Sequence, residues 1–221
     1  DIVDKDFDKQ VERTKLRPLA SGKISVKRAL IYVIVLCLLA FLILIQFNVL
    51  TILLGLGSMF FAFTYPYMKR ITYWPQLFLG LTFNWGIIMG WTSISPNFSY
   101  EVLVLYISAI FWTLGYDTIY GAQDMSDDEI IGVKSTALKF KNNMKFFIGF
   151  CYLVSALALF YFFRKYIGLN LSTFFLISFY LTLSWQIIRF DEKNPQSCLS
   201  IFKFNNISGL ILFLTIILIN T

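Results

Sequence analysis

The sequence predicts an all-α protein, a polytopic transmembrane helical bundle forming one domain over residues 1–221. Three observations carry that expectation. Apolar residues make up 57% of the chain and charged ones only 14%, where soluble proteins usually carry about a quarter charged. Seven apolar runs have roughly the 20-residue length that a helix needs to cross a bilayer. The basic residues, finally, collect between alternate runs.

Residues 1–28 are polar, and an acidic helix at their start is expected to end by Arg17-Pro-Leu-Ala-Ser-Gly22-Lys, whose breakers read as a loop. Runs over 29–47 and 49–68 make the first two spans, with a tight hairpin at Asn48 between them. Tyr65-Pro-Tyr-Met-Lys-Arg70 closes the second span with a proline near the helix terminus and two cations at the interface. Pro75 suits the first turn of a third span over 75–94, and Ser95-Pro-Asn-Phe-Ser is a turn before a fourth over 102–121. A polar loop is expected over 122–145, and spans over 146–163, 171–188 and 204–219 follow.

Loops must alternate sides of the membrane, which tests that number of spans. The alternation puts 17 of the 19 basic residues on one side and only Arg164 and Lys165 on the other. The positive-inside bias makes the first side cytoplasmic, and every acid except Glu101 shares it. The net charge of +6 therefore reports topology rather than nucleic-acid binding, since the basic residues form no stripe or recognition motif. The absence of histidine excludes His-based metal sites and triads. Three cysteines make no disulfide framework; Cys37 and Cys151 fall in apolar runs and Cys198 in an expected polar loop.

Two acidic runs stand out. On a helix Asp1, Asp4 and Asp8 fall at i, i+3 and i+7, one face, and Asp117, Tyr120, Asp124 and Asp128 continue the same spacing to i+11. Two such faces repel unless a cation lies between them, and hard oxygen ligands suit Mg2+ far better than Zn2+. Asp117 ends an apolar helix, where an acid is costly and usually marks a bound cation, a proton path or a substrate. Asp6, Glu12, Asp127 and Glu129, off these faces, read as solvated. Arg13, Lys15, Arg17, Lys69, Arg70 and Lys134 surround the acids and would take the phosphate oxygens of a metal-bound diphosphate. Lys23, Lys27, Arg28, Lys139, Lys141 and Lys145 read as topology determinants. Most aromatic residues are expected to pack or to face lipid, but Tyr65, Tyr67, Tyr116 and Tyr120 lie beside the charged motifs, where ring faces can stabilise a developing cation.

Asp1-x-x-Asp4-x-x-x-Asp8, followed by Val-Glu-Arg13-Thr-Lys-Leu-Arg17-Pro-Leu-Ala-Ser-Gly, resembles the first aspartate-rich motif of the UbiA-type intramembrane prenyltransferases. Gly115-Tyr-Asp117-Thr-Ile-Tyr120-Gly-Ala-Gln-Asp124-Met-Ser-Asp-Asp128 with Ile-Gly-Val-Lys134-Ser-Thr-Ala resembles the second, in the form of the branch that prenylates 4-hydroxybenzoate. The Tyr65-Pro-Tyr-Met-Lys69-Arg70 segment fits as well.

The resemblance implies a bundle of nine spans and Mg2+-dependent transfer of a polyprenyl group from its diphosphate to an aromatic ring. The family motif opens with an Asn just before Asp1, so the first helix and most of the second are expected to precede this chain, together with an Arg that helps hold the aromatic acid. These residues alone are then expected to be inactive. By resemblance Asp4 and Asp8, with that Asn, hold one Mg2+, and Asp124 with Asp128 a second, with Asp1 beside them. Asp117 and Tyr120 are the candidate catalytic residues, and Tyr65, Tyr67 and Tyr116 the candidate pocket. The implied setting is a bacterial inner or mitochondrial inner membrane, with the prenyl tail in an apolar channel open to lipid and no obligatory protein partner. Other acceptors remain open: dihydroxynaphthoate, homogentisate or haem. A cation transporter would carry acids near the bilayer midplane, whereas here they gather at one face. A CDP-alcohol phosphotransferase would carry an Asp-Gly-x-x-Ala-Arg signature, which is absent.

Overall fold

The chain is described by a computed structural model over residues 1–11 and 14–220. Every regular element among them is helical, and seven helical units are long and apolar enough to cross a membrane. A single turn, α1 (Lys5–Asp8), precedes α2 (Val26–Leu44) and α3 (Val49–Ile71). The third span is α4 (Pro75–Phe83) with α5 (Trp85–Ile94), and the fourth is α6 (Tyr100–Gly121). A 3-10 turn (Ala122–Asp124), α7 (Met125–Ile131) and α8 (Thr136–Lys139) follow, then α9 (Met144–Phe163), α10 (Leu171–Arg189) and α11 (Pro195–Ile217).

Capping side chains set several of these starts. Ser25, Asn48, Ser135, Asn170 and Asn194 each accept a bond from a first-turn N–H. Asn48 also donates to Thr92 O at 2.6 Å, which ties the α2–α3 hairpin to the end of α5. The third span breaks at Asn84, whose amide donates to Gly80 O, Ala109 O and Thr113 Oγ1 at 2.9, 3.3 and 2.8 Å. That side chain holds the interruption against α6 in a medium that offers no water to the backbone.

Helix α6 is the centre. Over half of its spanning window (56%) is buried, against 6% for α2, and it packs on α4, α5, α9 and α11. Gly115 makes the α6–α9 approach possible, because a Cβ there would lie 2.4 Å from the Tyr152 ring. Polar side chains join the helices where lipid supplies no hydrophobic drive. Ser108 meets Ser155 at 3.0 Å, Thr118 meets Thr136 at 2.7 Å, and Tyr152 donates to Gln186 Oε1 at 2.6 Å. Asn205 Oδ1 accepts from Trp112 Nε1 at 3.0 Å and from Gln186 Nε2 at 3.2 Å. The outer faces are apolar, as with Leu36, Leu42 and Ile43 on α2, all more than half exposed.

Four sequence expectations are corrected. The acidic helix is only the turn α1, because its carboxylates are drawn to different cations instead of lining one face. The second span, expected over 49–68, runs three residues further, to Ile71, with Pro66 inside the helix. The 122–145 loop contains two short helices, with Gly132 in the left-handed region (φ 79°) ending α7. The last span begins at Pro195, not at 204, because Asn194 caps and Pro195 starts the helix there. Cys198 therefore lies in a helix and is fully buried, and Lys203 also belongs to α11.

Candidate functional site

Helices α3, α4 and α6, the α1 segment and the 124–135 segment meet around a cavity of about 230 Å³. Its lining includes Asp4, Arg17, Tyr65, Lys69, Asp117, Tyr120, Asp124, Asp128 and Lys134, nine of the residues singled out by sequence. A smaller pocket of about 90 Å³ adjoins it, sharing Lys69, Asp124 and Asp128 and adding Asp8. Segments more than a hundred residues apart in the chain thus converge at one end of the bundle.

Each acid has its own local reason to be there. Asp4 caps α1 by position without using its side chain, which is left to pair with Lys69 at 2.9 Å and Arg70 at 3.5 Å. Those two cations end α3, and Arg70 also donates to Val3 O at 2.7 Å while its guanidinium lies 4.8 Å from the Phe7 ring centroid. Asp8 is buried, with both carboxylate oxygens 3.1 Å from Arg17 Nη1; the same nitrogen lies 3.4 Å from Asp1. Burial of a carboxylate is tolerable only with such a partner. Asp117 projects from the last turns of α6 and makes no ion pair among the described residues. Asp124 ends the 3-10 turn, and Asp128 lies in the first turn of α7, where carboxylates complement the helix dipole.

The 132–136 segment is fastened across the cavity. Lys134 N donates to Lys69 O at 2.7 Å, Lys134 Nζ to Ile71 O at 3.1 Å, and Thr136 N to Gln76 Oε1 at 2.9 Å. The second acidic motif is therefore anchored to the basic end of α3.

Some candidates lie elsewhere. Asp1 is at the surface on Arg17, and Lys15 is exposed outside the cavity. Tyr67 points away and lies 46% exposed beside Arg70, and Tyr116 packs between Trp112 and Phe202. The assignments made for Glu12 and Arg13 fall outside the described residues. Asp6 and Glu129 form exposed pairs with Lys9 and Lys141. Sequence reasoning missed Gln76 and Ser135, which line the cavity; the signal for Gln76 was an amide at the start of a largely apolar span.

The donor set fits a hard cation. Four carboxylates face one cavity with no nitrogen or sulfur ligand, yet among the described residues no three of them form a closed cluster. Mg2+ is commonly held by one or two carboxylates, with water and substrate phosphate oxygens completing its shell. Spaced carboxylates interleaved with Arg17, Lys69 and Lys134 suit that division, in which the ion and a polyanion arrive together.

Comparison with known proteins agrees with this arrangement. The model of the UbiA prenyltransferase family matches residues 1–208. A human protein named 4-hydroxybenzoate polyprenyltransferase, mitochondrial, is 43% identical over 230 residues, which cover 100% of this chain and 60% of that protein. The chain thus spans about three-fifths of that relative's length. The apo structure of a UbiA homologue from Aeropyrum pernix superposes with a TM-score of 0.83 at 22% identity, covering 98% of this chain and 81% of the other. A UbiA homologue from Archaeoglobus fulgidus, solved bound to GPP and Mg2+, superposes with a TM-score of 0.72 at 19% identity, covering 100% and 81%. With a family match over nearly all of its length and the fold of solved family members, this integral membrane chain belongs to the UbiA prenyltransferase family.

Proposed function

We propose that the protein transfers a polyprenyl group from polyprenyl diphosphate to 4-hydroxybenzoate, at the ring carbon ortho to the hydroxyl, as a step in ubiquinone biosynthesis. The observation that carries this reading is the gathering of four carboxylates and three cations around one cavity at the end of an apolar bundle. The choice of acceptor is supported by the name of the human relative and by the wording of the second motif. The setting is an inner membrane, mitochondrial or bacterial, with the acidic motifs on the matrix or cytoplasmic side, where positive-inside topology puts the basic loops.

Lys69, Arg17 and Lys134 bind diphosphate oxygens, and Lys69 exchanges Asp4 for the substrate as it does so. Asp4, Asp124 and Asp128, with Asp8 alongside, would hold Mg2+, which when bound supplies charge that neutralises the leaving diphosphate. The allylic carbon–oxygen bond breaks with its electron pair going to the diphosphate. Tyr65 and Tyr120 present ring faces to the allylic cation and exclude water from it. The ortho carbon of the acceptor forms the new carbon–carbon bond, and its proton passes to a base. Asp117, free of any described cation, is the carboxylate in position to orient the acceptor hydroxyl or take that proton.

Product mass spectrometry on the full-length protein, given geranyl diphosphate and each candidate acceptor in turn, tests this. A prenylated 4-hydroxybenzoate is expected; product from a different acceptor only would replace the proposed one.

A further inference from the structure

We propose that Gln76 is a substrate-binding residue, donating from its side-chain amide nitrogen to an anionic oxygen of a bound substrate. The inference rests on reading the cavity as the prenyl-transfer site. Gln76 directly follows Pro75 in the first turn of α4, lines the cavity and is only 7% exposed. Its Oε1 accepts from Thr136 N at 2.9 Å. A backbone N–H can only donate, so this contact identifies the oxygen and turns the amide nitrogen to the other side. There the nitrogen lies against Gly121, where an added Cβ would come within 3.2 Å of it. Among the described residues it gives no hydrogen bond, although it carries two donor hydrogens.

Among the described residues this nitrogen is not one of the enclosed polar atoms left without a partner, so it is open to the cavity, where its two hydrogens can be given to a ligand oxygen. An anionic oxygen of the substrate is an acceptor that suits this position. A neutral donor also suits this wall of the cavity, because it recognises an oxygen without adding to the charge of Lys69 and Lys134. The oxygen belongs either to the diphosphate or to the carboxylate or phenolate of the aromatic acid, and the two sources offer the same acceptor chemistry.

The alternative is a purely structural clip that fastens residue 136 to α4. Two variants separate these roles. Gln76→Glu keeps an oxygen for Thr136 N but loses the donor; Gln76→Met loses the donor without adding charge. Affinities for Mg2+-pyrophosphate and for 4-hydroxybenzoate are measured calorimetrically on the full-length protein in detergent, with melting temperature and wild-type turnover recorded separately. Both variants should lose about tenfold or more in affinity for the same ligand, at unchanged melting temperature. The ligand affected identifies the source of the oxygen. Wild-type affinity for both ligands in Gln76→Met overturns the proposal, as do losses that merely follow a lowered melting temperature. A wild-type protein that binds both ligands without prenyl transfer sinks the functional reading and leaves Gln76 judged by the binding ratios. One that binds neither ligand sinks both.

Discussion

Lys69 Nζ lies 2.9 Å from a carboxylate oxygen of Asp4, and this pair joins the last turn of α3 to the start of α1. Both side chains also line the cavity. The Lys69–Asp4 contact is therefore built from two groups that a metal diphosphate would claim separately. Replacing Lys69 by Gln should raise KM for the prenyl diphosphate by about tenfold or more, since a charged donor is removed. Combining it with Asp4→Asn should depart from the sum of the two single losses, because residues in contact are energetically coupled. Steady-state kinetics on the four proteins check this, and simple additivity would contradict it.

Asp124→Asn leaves a neutral amide at the junction of the 3-10 turn and α7. Transfer should fall on the order of a hundredfold or more while expression and membrane insertion are unchanged. Radiolabelled product formation in membranes, normalised to protein detected on a blot, gives the ratio. Turnover close to wild type would remove Asp124 from the ion-binding set.

Chelation provides an independent check. Washed membranes treated with EDTA should lose transfer and regain it with Mg2+, while Zn2+ restores little, in keeping with an all-oxygen donor set. Activity that persists in EDTA would argue against any metal role for these carboxylates.

Gly115 sits where α6 meets α9, with the Tyr152 ring in the way of any Cβ. Gly115→Ala should lower stability by about 1–3 kcal/mol through overpacking. Gly57, around which an added Cβ would meet nothing, is the matched control and should tolerate the same change. Melting temperatures from thermal size-exclusion of the two variants report the difference directly.

Gln186 is fully buried, accepts from Tyr152 Oη and donates to Asn205 and Ser208. Gln186→Leu leaves the Tyr152 hydroxyl without its acceptor and should cost about 1–2 kcal/mol, the scale of interhelical hydrogen bonds in membranes. The change shows as a lowered melting temperature; an unaltered one would mean that the network is slack.

Hydrophobic run length made the spans legible in the sequence, because bilayer thickness fixes how many apolar residues a helix needs. It could not show the break at Asn84, which depends on partners in α6 contributed by Ala109 and Thr113. Nor could it place the start of α11, where a capping Asn and a Pro outweigh a polar stretch. At the site, residue type and spacing found most of the cavity lining. The error was to treat the first acidic run as a helix, since spacing alone cannot register that Lys69 and Arg17 compete for its carboxylates. Nearness in sequence does not place Tyr67, which helical periodicity turns away from Tyr65, nor Tyr116, which shares a face with Tyr120 but packs on Trp112 and Phe202 without lining the cavity.

The bond from Lys134 N to Lys69 O is made wholly of main-chain atoms. Side-chain exchange at either position leaves both of its atoms in place. Charge at the rim can thus be varied, even reversed, at positions 69 and 134 while the seam between the two motifs stays fastened. That makes the pair a natural dial for substrate affinity, adjustable apart from the architecture that holds it.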